Sequence, residues 1–251
     1  NIFFLLTQAM LSYVEFMINF KSPLVSGSLI KRYKRFLADV LLDSGHVVTA
    51  HCPNPGSMKG LALKDEKIWL EKNTNHKAKL SYGWRLSELK DKSLVVVDTT
   101  LANKVIYKAL KEKCIPGLES YDEVKPEIKY GQNSRLDFFL GRNSGPPCYL
   151  EVKSVSMAEG NTAIFPDSIT KRGAKHLGEL RKIVSEGYRA IIFYLIQRTD
   201  VSEWDLACDI DKNYCNAFKE ASDSGVEVMA YKSNISIEGI KLGEELFRRK
   251  V

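Results

Sequence analysis

The stretch SRLDFFLGRNSGPPCYLEVKSVSM, residues 134–157, constrains the fold more than any other part of the 251-residue chain. Two apolar runs flank a loop rich in Gly, Asn, Ser and Pro, which is the pattern of a β-hairpin. With residues 141–147 as the loop, Leu140 lies opposite Cys148. Counting back along both strands then places Asp137 opposite Glu151. Strand alternation predicts a core face formed by Leu136, Phe138, Leu140, Leu150 and Val152.

The other face of this hairpin carries Asp137, Glu151 and Lys153. Two carboxylates directly across a strand pair repel each other, so a cation between them removes a conflict. Mg²⁺ binds through one or two carboxylates together with waters and phosphate oxygens, and a nearby lysine stabilises charge on a phosphate. The pattern predicts Mg²⁺- or Mn²⁺-assisted attack on a phosphodiester. The alternative is a solvated sheet face, on which Asp137 pairs with Arg135 or Lys153.

Residues 21–97 form a basic segment made of short strands. They contain 14 Lys and Arg against 7 Asp and Glu, and the whole chain has a net charge of +6. Apolar runs recur at short spacing, with a hairpin turn at Asp43-Ser44-Gly45 and no convincing helical period. About five or six such strands predict a small closed barrel. The charge predicts a polyanionic ligand, although a merely soluble basic surface has the same composition.

After residue 98 helical and strand patterns alternate. Helical spacing occurs in TLANKVIYKALKEKC, in SITKRGAKHLGELRKIVSEG, which ends at Gly187, and in NYCNAFKEASDSG. The continuous apolar run RAIIFYLIQR is typical of a central strand that is covered on both faces. VEVMAYKSNIS predicts a closing strand. Together with the hairpin, this order predicts an α/β sandwich.

Residues 1–19 are predicted to be an N-terminal extension. The apolar stretch at this end has an uncharged core of about 12 to 14 residues, which is short of the roughly 20 that a membrane-spanning helix needs. It also lacks the positive start and the cleavage site of a secretory signal. We therefore expect a helical or disordered extension and no membrane partner.

The cysteine pattern predicts a cytoplasmic protein. The chain has five cysteines and no CxxC pair; they are Cys52, Cys114, Cys148, Cys208 and Cys215. An odd number without such pairs argues against a disulfide framework and against a zinc ribbon, and it is typical of a reducing compartment.

Several long blocks, taken in order, closely resemble the sugar fermentation stimulation protein A family. They are PLVSGSLIKRYKRFLADVLLDSGHVVTAHCPNPGSMKGL, EIKYGQNSRLDFFL, CYLEVKSVSM, FPDSITKRGAKHL and IIFYLIQR, within residues 20–231. The resemblance implies an OB-like β-barrel over residues 20–97, a PD-(D/E)xK nuclease-like α/β domain over residues 98–251, and DNA binding. It places Asp137, Glu151 and Lys153 in the nuclease motif, with the Val152 carbonyl as a further metal ligand.

One position departs from what this resemblance implies. Many nuclease-fold proteins carry an acidic residue on the helix before the core sheet, and the family pattern has Glu where NKVIYKAL has Lys108. Loss of that acid would weaken metal binding or catalysis. A metal-dependent deoxyribonuclease, a non-catalytic DNA-binding regulator and an RNA-processing factor therefore all stay open, since OB barrels also bind single-stranded RNA. The strandedness of the DNA and the oligomeric state, with a homodimer as one option, stay open too.

Basic residues supply further candidate contacts to nucleic acid. The run KRYKRF combines positive charge with aromatic rings, as phosphate-binding grooves do, although charge also protects an edge strand. The loop HCPNPGSM could present Ser57 to a phosphate. The first turns of the helix after the hairpin carry four more candidates. The predicted nucleic-acid-binding residues are Lys31, Arg32, Tyr33, Lys34, Arg35, Ser57, Lys171, Arg172, Lys175, His176 and Arg198.

Gln197 completes the predicted catalytic set. Together with Arg198 it ends the apolar run RAIIFYLIQR. Polar residues at the carboxyl end of a strand in an α/β sheet tend to face the crevice where ligands bind. His176 is a further candidate as a general base.

Overall fold

The computed structural model describes residues 17–75, 77–130 and 134–249. A short first strand, β1 (Ile18–Asn19), precedes six strands that share one sheet. They are β2 (Leu24–Tyr33), β3 (Leu37–Leu42), β4 (Val47–His51), β5 (Lys67–Lys72), β6 (Tyr82–Glu88) and β7 (Leu94–Val96). Their order is β4-β3-β2-β5-β6-β7, and a parallel pairing of β4 with β6 closes the five strands β2 to β6. The predicted closed barrel is confirmed.

Alternation along these strands fills the barrel. Every second side chain of β3 is buried, and Ile68 and Leu70 of β5 and Trp84 of β6 complete the interior. The Trp84 indole donates its N–H to the Leu86 carbonyl at 3.0 Å, so its one polar group is satisfied inside the apolar barrel. Gly45 supplies the left-handed backbone, with φ of +85°, that the β3–β4 turn requires.

The C-terminal domain alternates helices with strands, as predicted. Its elements are α1 (Thr100–Lys111), β8 (Glu123–Tyr130), β9 (Ser134–Gly141), β10 (Cys148–Val155), β11 (Met157–Glu159), β12 (Thr162–Phe165), α2 (Lys171–Ser185), β13 (Arg189–Ile196), β14 (Glu203–Leu206), α3 (Lys212–Asp223), β15 (Glu227–Ile235) and β16 (Gly239–Glu245). The main sheet has the order β1-β16-β15-β13-β10-β9-β8, and β11, β12 and β14 form a second small sheet.

Helices cover both faces of the main sheet. On one face α1 packs against β9, β10 and β13, including Phe138, Leu150 and Phe193. On the other face α2 and α3 pack against Ile192 and Tyr194 of β13. The strand β13 is therefore buried on both sides, which explains why its sequence is apolar without alternation.

The strands β8 and β16 of the main sheet and the whole small sheet were not predicted from the sequence. The strand β8 was not predicted, because it is charged and contains Pro126, but an edge strand tolerates both features. The predicted closing strand β15 is followed by β16, which pairs with it in the antiparallel sense. The small sheet is formed from segments too short to have a readable period.

The N-terminal extension predicted for residues 1–19 lies largely outside the described residues. Its last two residues, Ile18 and Asn19, form β1 and pair with Ile240 and Gly239 of β16. This end of the chain is thus joined to the C-terminal sheet. Within the described ranges no helix is both long and apolar enough to cross a membrane.

The cysteine pattern argued against a disulfide framework, and the structure adds one disulfide that this pattern did not predict. Cys208 and Cys215 form a disulfide, with their Cα atoms 5.6 Å apart, while Cys52, Cys114 and Cys148 are free. The pair was missed because it has none of the short spacings of a redox or zinc motif. The loop that enters α3 turns back and brings the two positions together.

Asp211 joins the amino ends of α2 and α3. Its side chain accepts hydrogen bonds from the backbone N–H of Tyr214 (3.0 Å), within α3, and of Thr170 (2.8 Å), the residue that precedes α2. Thr170 in turn caps α2 by accepting from the N–H of Gly173. The start of α2 is therefore fixed through a buried carboxylate on α3.

We predict that Asp211→Ala destabilises the protein by about 2 kcal/mol, because it removes one helix cap and leaves a second buried N–H without a partner. Urea unfolding followed by circular dichroism measures the change. Asp209→Ala is the matched control, since Asp209 is exposed. Equal stability of the two variants would contradict this role for Asp211.

Candidate functional site

The hairpin register matches the prediction up to the point where the two strands part. Leu140, Phe139 and Phe138 of β9 pair with Cys148, Tyr149 and Leu150 of β10. At the next position the Asp137 side chain replaces the backbone, because its Oδ2 accepts the N–H of Val152 at 2.8 Å. The carboxylate therefore lies between the two strands where they separate.

Leu136 does not share the core face predicted for it. It packs in the cluster of α2 and α3, whereas Phe138 and Leu140 pack on the side of α1. The prediction assumed an uninterrupted ladder. Since β9 leaves β10 at Asp137, the partner strand no longer fixes the orientation of the residues before it.

Asn103 of α1 is the second partner of Asp137. Its Nδ2 donates to Asp137 Oδ1 at 2.7 Å, so each carboxylate oxygen accepts one hydrogen bond. Sequence reasoning missed this residue, because a single Asn on a helix carries no motif. The sequence signal that could have indicated Asn103 is its position in TLANKVIYKALK, near the start of the helix that precedes the sheet. Lys108 lies on the same side of α1 and lines a cavity with Asn103 and Asp137.

Glu151 is buried with one oxygen bound and the other without a partner. Its Oε1 accepts from Lys153 Nζ at 2.7 Å and contacts His176 Nδ1 of α2. Its Oε2 is buried and has no hydrogen-bond partner among the described residues. A buried carboxylate oxygen without a partner is costly, so this atom marks a place where an additional group would be stabilised.

His176 is held in one tautomer. Arg172 Nε donates to His176 Nε2 at 3.3 Å, so Nε2 is the acceptor and Nδ1 carries the proton that faces Glu151. Predicted as a nucleic-acid contact, His176 is instead buried and directed at the carboxylate. Its first role in the structure is thus to orient Glu151.

The two carboxyl groups have opposite electrostatic environments. Burial, followed by the nearby charge of Glu151, raises the pKa of Asp137 to about 6. Burial also disfavours ionised Glu151, but the hydrogen bond from His176 and the charge of Lys153 outweigh it and hold the pKa of Glu151 below its ordinary value. Of the two carboxyl groups, Glu151 is therefore the one whose surroundings favour the ionised form, and Asp137 is the one whose ionisation a cation would favour.

These residues fit a divalent cation of the Mg²⁺ type. Two carboxylates on adjacent strands interact electrostatically, and one of them has an unpartnered buried oxygen. Over residues 17–75, 77–130 and 134–249, no three His, Cys, Asp or Glu side chains form a metal cluster. A site with only two protein carboxylates suits an ion that retains waters and binds substrate oxygens.

Lys153 faces a cleft between the two domains. A cavity of about 330 Å³ is lined by Lys153, by residues 54–56 of the barrel and by residues 164–170 before α2. The Ser57 N–H, predicted to contact a phosphate, donates to Asp167 Oδ2 at 2.8 Å and so links the domains. In this structure an acidic side chain occupies the position predicted for an anion.

The basic run after the start of β2 divides into two groups. Arg32 donates to the carbonyls of Asn54, Gly56 and Ser57 and thereby fixes the loop at the cleft. Lys31 and Tyr33 both bind the Asp39 carboxylate. Lys34 and Arg35, in contrast, are exposed at the β2–β3 turn and have positive φ. The structure thus leaves these two as the freest cations of the run.

The remaining predicted residues lie at different distances from Glu151. Lys171, Arg172 and Lys175 are exposed on the first turns of α2, the helix that also carries His176, and Lys175 pairs with Glu179. Gln197 lies beyond the end of β13, whereas Glu151 is level with Ile192 of that strand. The Gln197 side chain is buried and accepts a hydrogen bond from Ser233. Its role in catalysis stays a prediction, and the structure does not bring it to Glu151.

Arg198 also makes its contacts with residues other than Asp137 and Glu151. Its guanidinium forms a two-pronged ion pair with Asp200 and donates to the Ser156 carbonyl. Only 7% of the residue is exposed. Its backbone forms a bridge with Val95 of β7, so it belongs to the contact between the barrel and the C-terminal domain.

Comparison with known proteins covers nearly the whole chain. Residues 30–97 match the model of the SfsA N-terminal OB domain, and residues 100–239 match that of the sugar fermentation stimulation protein RE domain. The sugar fermentation stimulation protein homolog of Ruegeria pomeroyi is 48% identical over 230 residues, which are 91% of this chain and 100% of that protein. The homolog of Marinomonas sp. is 44% identical, over 90% of this chain and 88% of its own length.

A solved structure is similar over the same extent. It is that of Pyrococcus furiosus SfsA in complex with Ca²⁺, with a TM-score of 0.84 and 26% sequence identity. The similarity covers 93% of this chain and 98% of that one. The arrangement of an OB barrel followed by an α/β domain is therefore shared between the two proteins.

We predict that Asp137→Asn stabilises the metal-free protein at about pH 8 by about 1 to 3 kcal/mol. The folded-state pKa of Asp137 is raised to about 6 from the ordinary 3.8, so ionisation favours the unfolded chain. The penalty grows as the pH rises from about 4 to about 6 and is constant above that range. Urea unfolding in EDTA at several pH values measures it.

Asp223→Asn, at the exposed end of α3, is the matched control for this charge change. Near pH 4 both variants and the wild type should be similar in stability, apart from small packing differences. A stability difference at Asp137→Asn that does not change with pH would contradict the ionisation account.

Proposed function

The chain belongs to the sugar fermentation stimulation protein family, and we propose that it is a DNA-binding protein with a divalent-metal-dependent phosphodiesterase site at Asp137, Glu151 and Lys153. The observation that carries the proposal is the buried, unpartnered Oε2 of Glu151 beside the electrostatically coupled Asp137. The Ca²⁺ complex of the similar Pyrococcus furiosus protein supports a divalent cation in this fold.

Mg²⁺ or Mn²⁺ bound here would neutralise the two carboxylates and supply Lewis-acid chemistry to a phosphate and a water. Asp137 and Glu151 would hold the ion, with the Val152 carbonyl as the predicted third protein ligand. Lys153 places a positive charge at the cleft, where it stabilises an anionic phosphate and orients a water. His176 keeps Glu151 Oε1 occupied, so that Oε2 is the oxygen available to the ion.

The N-terminal barrel would bind the polynucleotide backbone. Its basic excess provides attraction that is independent of sequence, and the exposed Lys34 and Arg35 are its candidate contacts. Lys171 and Arg172 lie at the start of α2, and Arg172 is linked to Glu151 through His176. A strand that contacts both groups would pass the interdomain cleft.

A non-catalytic DNA-binding regulator is the second candidate. It is favoured by the absence of an acidic residue on α1, where the neutral Asn103 contacts Asp137 and Lys108 lies nearby. An RNA-processing factor would use the same barrel and the same carboxylates, and RNA substrates in the assay below distinguish it.

We predict that the wild-type protein cleaves nucleic acid in Mn²⁺ or Mg²⁺, and that Asp137→Asn and Glu151→Gln each lower the rate at least about 100-fold, as expected when a metal ligand is removed. Both substitutions preserve side-chain shape. Cleavage of duplex DNA, forked DNA, single-stranded DNA and RNA is followed on gels over a series of metal concentrations.

Asp223→Asn serves again as the control and should retain full activity. Binding of the same substrates should stay within a fewfold of wild type for the two site variants. If the wild type binds DNA but cleaves none of the substrates, the regulator is the correct function; cleavage that survives both variants would place the chemistry elsewhere.

The barrel contacts are tested by Lys34→Glu with Arg35→Glu. We predict weaker DNA binding and a salt dependence reduced by about 0.7 to 0.9 in logarithmic slope for each phosphate that the protein no longer neutralises. Fluorescence anisotropy over a range of salt concentrations measures both. Arg32 is left unchanged because it fixes the loop at residues 54–57. Unchanged affinity and slope would remove this turn from the nucleic-acid footprint.

A further inference from the structure

A second cavity, separate from the interdomain cleft, is lined by Asp137. Its volume is about 520 Å³, and it is a surface pocket bordered by α1, β1 and the region where β8 faces β9. The apolar lining consists of Ile18, Tyr107, Pro126 and Phe138. Sites for small organic ligands typically measure about 300 to 1,000 Å³ and are mostly apolar, so this cavity is large enough to hold one.

Tyr107 offers an aromatic surface to this cavity. One side of its ring is stacked on Phe138, with centroids 6.2 Å apart and an angle of 21° between the planes. Phe138 itself is buried in the core, which fixes the position of the Tyr107 ring. Tyr107 is nevertheless 39% exposed, so part of its surface is available to another flat ring.

Three lysines border the same cavity. Lys104, Lys108 and Lys111 follow the i, i+4, i+7 spacing and therefore form one stripe along α1. None of them forms an ion pair with a carboxylate of the described residues, and the helix contains no Asp or Glu. Glu127, across the cavity, is paired with Arg135 at 3.2 Å. The stripe is thus a source of unneutralised positive charge beside an apolar cavity.

We propose that this cavity, which we call the base pocket, binds one unstacked nucleobase of the nucleic-acid strand whose phosphodiester lies at Asp137. A nucleotide combines the two features that the pocket requires, a flat apolar ring and an anionic phosphate. The base stacks on Tyr107, and the flanking phosphates contact the lysine stripe. The proposal rests on the proposed function, because it uses the same strand and the same carboxylate.

The location of Asp137 connects the base pocket to the site of chemistry. Asp137 lines the pocket and also lies between the parted strands next to Glu151. A nucleotide in the pocket is therefore adjacent to the carboxylates. A base inside a duplex cannot enter without being unpaired and unstacked, at a cost of a few kcal/mol. The pocket consequently favours single strands or unpaired nucleotides over intact duplexes.

The test measures binding of fluorescent oligothymidylate and oligouridylate to the full chain in Ca²⁺, with gels to verify that the probes stay intact. Tyr107→Ala should weaken binding about tenfold, the loss expected when one base is deprived of its stacking partner. Tyr107→Phe keeps the ring and should remain within about twofold of wild type. Tyr188→Ala, which removes a similarly exposed tyrosine at the start of β13, should have no effect. Lys108→Gln should reduce the salt slope by about 0.7.

A crosslinking experiment locates the base directly. Oligothymidylate that carries one 5-iodouracil is irradiated with the wild-type protein, and the adduct is mapped by mass spectrometry. We expect the peptide that contains Tyr107 to be modified, and excess intact duplex to compete poorly. The RNA probe in the binding assay shows whether ribose is accepted as well as deoxyribose.

The outcomes separate the two proposals. If the wild type binds neither these probes nor duplex DNA, the proposed function fails and the base pocket fails with it. If it binds duplex DNA but none of the single-stranded probes, the base pocket alone is wrong. If the wild type binds, but Tyr107→Ala binds equally well and adducts form only on the barrel, the base pocket alone is wrong. Circular dichroism melting of each variant verifies that a loss of binding does not reflect unfolding.

Discussion

The structure of the candidate site depends on one hydrogen bond at the end of a β-ladder. There the Asp137 carboxylate, and not a main-chain carbonyl, is the acceptor. Its hydrogen bond from the Val152 N–H satisfies a buried donor where β9 parts from β10. Because the acceptor is a side chain, the two strands diverge without leaving that donor unpaired. The same contact sets the Asp137 carboxylate close enough to Glu151 to interact electrostatically with it, in the wall of the cavity that α1 lines.

This arrangement costs stability. Two neighbouring carboxyl groups in a largely dry environment resist being ionised together, and their surroundings shift the two pKa values in opposite directions. His176 and Lys153 keep Glu151 ionised, so the strain appears as a raised pKa at Asp137. A folded protein that retains such a conflict is expected to relieve it by binding a cation, which is the reason for proposing a metal rather than an ion pair. Helices from both faces of the sheet contribute, α1 through Asn103 and α2 through His176.

Much of the fold followed from sequence patterns, because strand alternation and helical spacing report directly on burial. The barrel, the hairpin register and the buried strand β13 were all predictable in this way. Features that depend on contacts between distant segments were not. The Pro-containing edge strand β8 has no apolar alternation, and Leu136 changed faces because the ladder ends where a side chain replaces the backbone.

The site shows the same division. Charges inside an apolar hairpin identified Asp137, Glu151 and Lys153 as residues in need of a partner, but the partners themselves are distant in sequence. Arg32 has the composition of a phosphate contact and instead holds a loop, since only the folded chain brings three carbonyls within its reach. The charge of a residue is known from the sequence, whereas the contacts that the residue makes depend on which segments the fold brings next to it.

The most direct test of the central claim is the anomalous scattering of crystals soaked in Mn²⁺. A single strong peak coordinated by Asp137 and by Oε2 of Glu151, and absent from Asp137→Asn crystals, is the result that we predict. A map with no peak at these carboxylates, at Mn²⁺ concentrations that saturate other sites, would contradict the claim that the parted strands form a metal centre.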